Sequence, residues 1–529
     1  MGARRLRIPK ESTPAIDSHP ARDCLAEPNT ENMYHGSKAT VCLTIGSLLF
    51  SWANVLTAKT PAQELASAKR IIFILSDDHR YDYMGFMGKV SWLETPNMDR
   101  LAREGAHLEN AYVTTSLCSP SRATILTGLY AHQHTIVDNQ APNPGGLTYF
   151  PQYLQEAGYQ TAFFGKWHMG DHSDAPQPGF NHWESFKGQG NYYAPALNIN
   201  GERTQYSEDV YTTDLLTEHA LEWMKTQGSE QPYFVYLSHK SVHAKFAPAK
   251  RHKGHYAGKK IELPATFEQT KTNAYKKLLW PEWVKQQRHS WHGVDYMYHR
   301  KLDLHEQVVN YCETLLGVDE SIGAVLDYLD ESGLAEDTLI IYMGDNGFSW
   351  GEHGLIDKRH FYEESGKVPL LMRHPKSIQA GQTIKAIVNN TDIAPTVLSY
   401  AGIQSPDYFV GHSIQQVTNG KPAGDWRRHI FYEYYWEYDF PMTPTTFGVR
   451  DDRYKYIRYH GIWDRNEFYD LQEDPAEMHN LIESPEHQER IKTMIRKLYD
   501  WLEPSDGMQI PLKRTIKHRW GDYRHQKQH

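Results

Sequence analysis

The sequence predicts an α/β fold, in which a large, mostly parallel sheet is flanked by helices and a smaller C-terminal subdomain holds an antiparallel sheet and a helix. Continuous apolar runs bounded by polar residues recur through the first 370 residues, as expected of strands buried on both faces. Segments with helical spacing separate many of these runs. From about residue 425 the runs become short and alternating, which is typical of antiparallel strands.

Apolar periodicity locates the elements in chain order. Buried strands are predicted at residues 71–76, 106–113, 161–164, 232–238, 338–343 and 368–372, and short antiparallel strands at 447–450, 454–459 and 467–471. Helices are predicted at residues 95–105, 150–157, 304–329, 390–402 and 488–502, and a loop at 130–139. The predicted divisions are a leader and signal peptide (1–68), the main α/β domain (69–424), the C-terminal subdomain (425–505) and a basic tail (506–529).

The composition limits the classes of protein to which this chain can belong. The 529 residues are enough for one large and one small domain, and 40% hydrophobic content is typical of globular chains. The net charge of −9 argues against a nucleic-acid partner. Two of the four cysteines precede residue 69, so too few remain for a disulfide framework.

The N-terminal region is typical of an exported protein. Residues 41–56 form an apolar run that is too short and interrupted to predict a membrane span, but that suits a signal peptide. Met33 is a plausible start, and the Ala-Ser-Ala sequence at 66–68 is an acceptable cleavage site, with Ala58 as a nearer option. An uncleaved anchor is the alternative. We expect a periplasmic or secreted protein without stable membrane insertion.

Oxygen-bearing side chains follow two of the predicted buried strands. These side chains are Asp77, Asp78, Asp345 and Asn346. Buried carboxylates are costly unless they are paired, and the carboxyl ends of parallel strands are where ligands bind. Such hard oxygen ligands suit Ca²⁺ or Mg²⁺, whereas no Cys/His set has the spacing of a zinc site. A helix cap is the competing interpretation of the Asp-Asp pair.

The sequence TTSLCSPSRATILTG, at residues 114–128, places Cys118 at the predicted start of a helix. Pro120 suits the first helical turn, and the free N–H groups there favour an anion, either a thiolate or a bound oxyanion. Arg122, one turn further along, faces the same site. The alternative is an ordinary buried cysteine.

Basic residues follow further strands. Lys166 and His168 lie two residues apart at a strand end, so we expect both to point the same way towards one anion, or else to be two surface residues beside a turn. The insertion at residues 244–300 is basic and contains three tryptophans. It is interpreted as the wall of a pocket for an anionic ligand, or as a solvated charged loop.

Several motifs occur in one order between residues 69 and 484: DD, CSPSR, GKWHMG, HKSVH, GDNG and YDLQEDPAEMHNL. In this order they resemble the type I sulfatases of the alkaline phosphatase superfamily. The resemblance implies that a formylglycine-generating enzyme converts Cys118 to formylglycine (3-oxoalanine), whose aldehyde hydrate attacks sulfur. The chain departs from many relatives in having His79 in place of glutamine.

The resemblance also implies the role of each matching residue. One Ca²⁺ is held by Asp77, Asp78, residue 118, Asp345 and Asn346. The sulfate is surrounded by Arg122, Lys166, His243 and Lys358. The leaving alcohol takes a proton from His243 or Lys358, and His168 acts as the base that expels sulfate from the sulfo-enzyme. Without modification, Cys118 lacks the second hydroxyl that this release requires.

The expected function is hydrolysis of a sulfate ester on a carbohydrate. Runs around residues 129–139 and 177–193 resemble polysaccharide-degrading sulfatases, including those acting on N-acetylglucosamine 6-sulfate, and algal polysaccharides such as ulvan or carrageenan also fit. A phosphonate monoester hydrolase or phosphodiesterase of the same superfamily is the alternative enzyme. A non-catalytic glycan-binding protein is the third hypothesis.

Overall fold

The computed structural model describes residues 67–169, 173–272, 277–296, 303–418, 426–438, 440–461 and 463–510. The strands are β1 (Arg70–Ser76), β2 (Ala106–Leu108), β3 (Ala111–Tyr112), β4 (Gln160–Lys166), β5 (His182–Phe186), β6 (Ala196–Ile199), β7 (Glu202–Gln205), β8 (Tyr233–Ser238), β9 (Thr338–Gly344), β10 (Ser349–Trp350), β11 (Ile356–Asp357), β12 (Leu370–Arg373), β13 (Gln382–Ile384), β14 (Val388–Asn389), β15 (Ile430–Tyr434), β16 (Thr445–Arg450), β17 (Tyr454–His460) and β18 (Glu467–Asp470).

The helices are α1 (Pro96–Glu104), α2 (Cys118–Thr127), α3 (Ala131–His134), α4 (Phe150–Glu156), α5 (Thr212–Thr226), α6 (Glu282–Gln287), α7 (Leu304–Glu331), α8 (Glu363–Gly366), α9 (Ile393–Tyr400), α10 (Gln415–Thr418) and α11 (Gln488–Leu502). Among the described residues, no helix combines the length and apolarity needed to cross a lipid bilayer. The predicted signal peptide before residue 67 and the tail beyond residue 510 lie outside the described residues.

A ten-stranded sheet, in the order β13-β2-β12-β9-β1-β8-β4-β5-β6-β7, confirms the predicted α/β architecture. Its centre is parallel, with β1 paired to β8 on one side and to β9 on the other. The side chains of β1 alternate between two cores: Phe73 packs into one and Ile72 and Ile74 into the other. Because both faces are covered by apolar groups, this strand is a continuous apolar run.

The C-terminal subdomain is also as predicted. Strands β15, β16, β17 and β18 form an antiparallel sheet, and α11 packs against β16 and β17. Helix α11 has the predicted bounds. Strand β15 is an addition to the prediction and forms one edge of this sheet.

Several local predictions were wrong. The strand predicted at 106–113 is two short strands, β2 and β3, which pair with different neighbours. The predicted loop at 130–139 contains helix α3. Strands β5, β6 and β7 were not predicted, although Asn200-Gly201, with φ of 51° and 100°, is a common hairpin turn. The start of α1 is capped from outside, because Asp319 of α7 accepts the N–H groups of Asn97 and Met98.

Candidate functional site

The carboxyl ends of β1 and β9 bring the predicted oxygen ligands together. The register pairs Ser76 with Gly344, so the residues that follow are neighbours. The N–H of Asp78 donates to Asp345 Oδ1 at 3.0 Å, and Asn346 Nδ2 donates to Asp78 Oδ1 at 2.8 Å. With Asp77, all four side chains are buried.

Helix α2 points its first residue into this cluster. The Cys118 Sγ–H donates to Asp77 Oδ1 at 3.4 Å, and ligand atoms of Asp77, Cys118 and Asp345 lie within 4.8 Å of one another. Asn346 Oδ1 is buried without a hydrogen-bond partner in the described part of the chain. Buried carboxylates beside an unpaired amide oxygen are the donor set that a hard divalent cation prefers. The residues therefore fit the Ca²⁺ that the family pattern implies.

Three basic side chains face the three carboxylates. Arg122 donates to Asp345 Oδ2 at 2.9 Å through Nε, and its Nη1 donates to the backbone oxygen of Lys166 at 2.7 Å. Lys166 pairs with Asp77, and Lys358 pairs with Asp78. Because these charges balance, the acidic cluster is tolerated in the interior.

The two predicted histidines lie at the edge of the same cluster. The ring of His168 lies beside Ser119, with 3.4 Å between Nδ1 and Oγ. His243 Nε2 is 3.8 Å from Asp78 Oδ2, and its Nδ1–H donates to the backbone oxygen of Ala244 at 2.6 Å. The extended geometry expected for Lys166 and His168 is wrong beyond Lys166, because His168 has a φ of 52°.

Burial governs the protonation of the site. It raises the pKa of Asp78 to about 7, although Lys358 opposes the rise. Burial alone would also raise the pKa of Asp77, but the attraction of Lys166 and the other basic groups outweighs it and holds this pKa well below its ordinary value. Burial, and then repulsion from Lys166, holds the pKa of His168 well below its ordinary value. His168 is therefore a neutral imidazole at pH 7 and can accept a proton.

The Cys118 thiol does not gain the acidity that its place at a helix start suggested. Burial and the Asp77 charge raise its pKa, against the attraction of Lys166 and Lys358. Since the thiolate is the reactive form of cysteine, the unmodified side chain is a poor nucleophile at neutral pH. This agrees with a role for residue 118 that depends on modification.

Further residues at the site were missed by sequence reasoning. Ser119 fastens α2 to the His168 segment by donating to the His168 backbone oxygen. Lys240 is buried beyond the end of β8, with its ammonium 4.7 Å from the centre of the Tyr192 ring. Asp357 lies beside Lys358, with 3.6 Å between Oδ1 and Nζ. The HKSVH and DKR sequences were the available signals, because charged residues there follow buried segments.

The structure also shows where His79 and the 244–300 insertion lie. His79, the departure from relatives, uses its ring nitrogens on Tyr342 Oη at 2.6 Å and on the Tyr83 backbone oxygen at 3.0 Å. It therefore lies outside the metal-ligand set. In the 244–300 insertion, Trp280 and Trp283 are buried, and Trp283 lines a groove against the C-terminal subdomain. The lysines at 245, 250, 253, 259 and 260 are exposed.

Comparison with known proteins identifies the family. Residues 69–403 match the Sulfatase family model, and residues 351–503 match a model described as N-sulphoglucosamine sulphohydrolase, C-terminal. The chain belongs to the sulfatase family. It is therefore a sulfuric ester hydrolase.

This sulfatase is similar to three known proteins over most of its length. It is 34% identical over 519 residues to an N-acetylglucosamine-6-O-sulfatase of Bacteroides thetaiotaomicron, covering 87% of this chain and 90% of the relative. A solved structure described as a complex with its substrate D-glucosamine-2-N,6-O-disulfate matches with a TM-score of 0.73 and 31% identity, covering 85% of this chain and all of the other. A multifunctional alkaline phosphatase superfamily protein of Trinickia caryophylli is 26% identical, covering 82% of this chain and 95% of the relative.

Proposed function

We propose that this sulfatase removes the 6-O-sulfate from a glucosamine-type sugar of a sulfated glycan. The observation that carries the proposal is the buried cluster in which Cys118, three carboxylates and three basic side chains meet. The names of the two most similar relatives described above support a 6-sulfated glucosamine as the substrate.

We further propose that Asp77, Asp78, Asp345, Asn346 and residue 118 hold one Ca²⁺. Its contribution is to polarise a sulfate oxygen and to favour ionisation of a nearby hydroxyl. Asn346 suits this role, because its buried Oδ1 has no partner in the described residues while its Nδ2 is fixed on Asp78. Arg122 holds the Asp345 carboxylate in place through two nitrogens.

The nucleophile is proposed to be formylglycine at position 118, formed from Cys118 by a formylglycine-generating enzyme. Its hydrate supplies one hydroxyl for attack on sulfur and a second for the release of sulfate. Arg122, Lys166 and Lys358 would stabilise charge on the sulfate oxygens, because cations in a dry site act strongly on developing charge. His243 would contact the sulfate as a neutral ring, because burial holds its pKa well below its ordinary value. Neutral His168 would accept the proton of the second hydroxyl. His243 and Lys358 remain the two candidates for donating a proton to the leaving alcohol.

The domain divisions and the cellular location are proposals of the same kind. We propose export to the periplasm or beyond, with a signal peptide before the catalytic domain. Ala68 is buried, its N–H donates to the Tyr400 backbone oxygen at 2.7 Å, and its own oxygen accepts from Tyr159 at 2.7 Å. Cleavage near Ala58 keeps these contacts in the mature chain, which favours it over the Ala-Ser-Ala sequence at 66–68.

The test is a desulfation screen of enzyme made in a host with the maturation enzyme. N-acetylglucosamine 6-sulfate, its 3-sulfate isomer, an ulvan oligosaccharide and a phosphonate monoester serve as substrates. The proposal predicts release of sulfate from the 6-sulfate ester and loss of this activity in Cys118→Ala. Faster turnover of the phosphonate ester supports the alternative hydrolase, and faster turnover of ulvan overturns the proposed sugar.

A further inference from the structure

A second concave surface, which we call the aromatic groove, lies between helix α6 of the insertion and the C-terminal subdomain. Its volume is about 580 Å³, within the usual range of ligand pockets. The residues that line it include Glu282, Trp436, Met442, His460, Trp463 and Asp464.

Two tryptophans that line the groove, Trp436 and Trp463, are exposed to solvent, whereas a third, Trp283, is buried. Trp436 is 41% exposed and Trp463 fully exposed, which is uncommon for such large apolar side chains. Trp436 is nevertheless held in position, because its backbone N–H donates to Thr445 Oγ1 at 3.0 Å and its Nε1–H donates to the Pro441 backbone oxygen at 3.1 Å. A fixed, open indole face binds a flat apolar partner at a low cost in side-chain entropy.

The charges of the groove select among carbohydrate partners. Its charged lining residues are Glu282 and Asp464, and the described residues that line it include no lysine or arginine. Lys285, one turn along α6, pairs with Glu282 at 2.6 Å, so Asp464 contributes most of the negative charge. Asp464 is fixed at the start of α6, where it accepts the N–H groups of Glu282 and Trp283 at 2.9 Å each. Carboxylates repel a sulfate group but accept hydrogen bonds from sugar hydroxyls. The groove therefore suits an unsulfated sugar.

One segment joins the groove to the catalytic site. Glu437, next to Trp436, accepts from Arg359 Nε at 2.7 Å, and the Arg359 guanidinium lies 3.6 Å from the centre of the Phe440 ring. Arg359 directly follows Lys358, which pairs with Asp78 of the catalytic cluster. The segment that carries Trp436 and Met442 therefore contacts Arg359, the neighbour of Lys358 in the catalytic cluster.

We propose that the aromatic groove binds an unsulfated sugar residue of the same glycan whose sulfated residue occupies the catalytic site. The inference rests on the proposed function, because it assigns the second site to the same substrate chain. Sugar rings present C–H faces that stack on indoles, while Asp464 and Glu282 accept bonds from the ring hydroxyls. The enzyme therefore recognises an oligosaccharide better than a monosaccharide.

The test compares Trp463→Ala and Trp436→Ala with the parent enzyme on two substrates. For chitotriose carrying a 6-sulfate on its non-reducing sugar, KM is expected to rise about tenfold, a typical loss for an aromatic anchor. For N-acetylglucosamine 6-sulfate, kcat and KM stay unchanged. Tyr408→Ala, which removes an exposed aromatic ring outside the groove, is the control and leaves both substrates unaffected. Equal changes for both substrates, or none, overturn the inference.

A binding measurement separates this inference from the proposed function. Unsulfated chitotriose is titrated into the Cys118→Ala protein by calorimetry, so no turnover is required. Binding that is lost in Cys118→Ala/Trp463→Ala supports the groove even if no sulfate ester is cleaved by the parent enzyme. Absence of binding, or binding that survives loss of the tryptophan, overturns the groove while leaving the sulfatase activity intact.

Discussion

Replacing Glu467 tests how the C-terminal sheet is held against the catalytic domain. Glu467 is fully buried, and the hydroxyls of Tyr362, Tyr459 and Tyr469 all donate to it. Burial raises its pKa from 4.5 to about 7, although the three hydroxyls act in the opposite direction. Tyr362 belongs to the catalytic domain and Glu467 to β18, so the contact joins the two parts.

The sign of the pH dependence follows from this shift. Because the folded-state pKa lies above the unfolded-state value, the contribution of Glu467 to stability is complete below about pH 4.5 and is lost as the pH rises through about 7. The difference in pKa corresponds to about 3 kcal/mol of unfolding free energy. Glu467→Gln keeps the shape and removes the titration, so the variant lacks this part of the pH dependence.

Thermal unfolding measured at about pH 4.5 and about pH 7.5 provides the assay. Between these values the melting temperature of Glu467→Gln, relative to the parent protein, is expected to rise by about 3 °C, given the unfolding entropy of a chain of this size. Glu473→Gln, an exposed glutamate in the following turn, is the matched control and should show no such rise. If the difference between Glu467→Gln and the parent is the same at both pH values, the account of this contact is wrong.

Three further predictions concern the catalytic cluster. Asn346→Leu removes the unpaired amide oxygen. Ca²⁺ at 100 times its dissociation constant is expected to stabilise the parent protein by about 2.7 kcal/mol, and it should no longer raise the melting temperature of the variant. The same Ca²⁺-induced shift in both proteins would exclude Asn346 as a ligand. Arg122→Met leaves Asp345 without its guanidinium partner, so the variant should lose about 3–5 kcal/mol of unfolding free energy, measured with denaturant, and should also lose turnover. A stability equal to that of the parent would refute the proposed role of this ion pair. Cys118→Ala should fold normally but lose at least about 1,000-fold in kcat, and residual turnover near the parental rate would rule out residue 118 as nucleophile.

The sequence predicted which polar residues lie together at one edge of the sheet, because these residues follow the ends of buried strands. Asp77 and Asp345 each come after a continuous apolar run, and parallel pairing of β1 with β9 brings the two ends together. The amphipathic pattern of α7 and α11 located those helices for a similar reason, since one face of each packs on a sheet or a core.

What escaped prediction depends on contacts between residues far apart in the chain. Capping of α1 by Asp319 joins residues more than 200 positions apart. The burial of Trp283 could not be predicted either, because a tryptophan in a basic insertion can be exposed or can belong to a core. Helix α3 was missed for another reason: it is only four residues long, too short for a periodic signal. Lys240 is buried beside Tyr192, and nothing in its neighbours along the chain indicates that partner.

The most direct test of the central claim is the mass of the peptide containing residue 118, taken from enzyme that is releasing sulfate from N-acetylglucosamine 6-sulfate. The proposed mechanism requires the aldehyde at this position in the active molecules, and it predicts that activity rises in proportion to the modified fraction across preparations. A fully active preparation in which residue 118 has the mass of unmodified cysteine would contradict it.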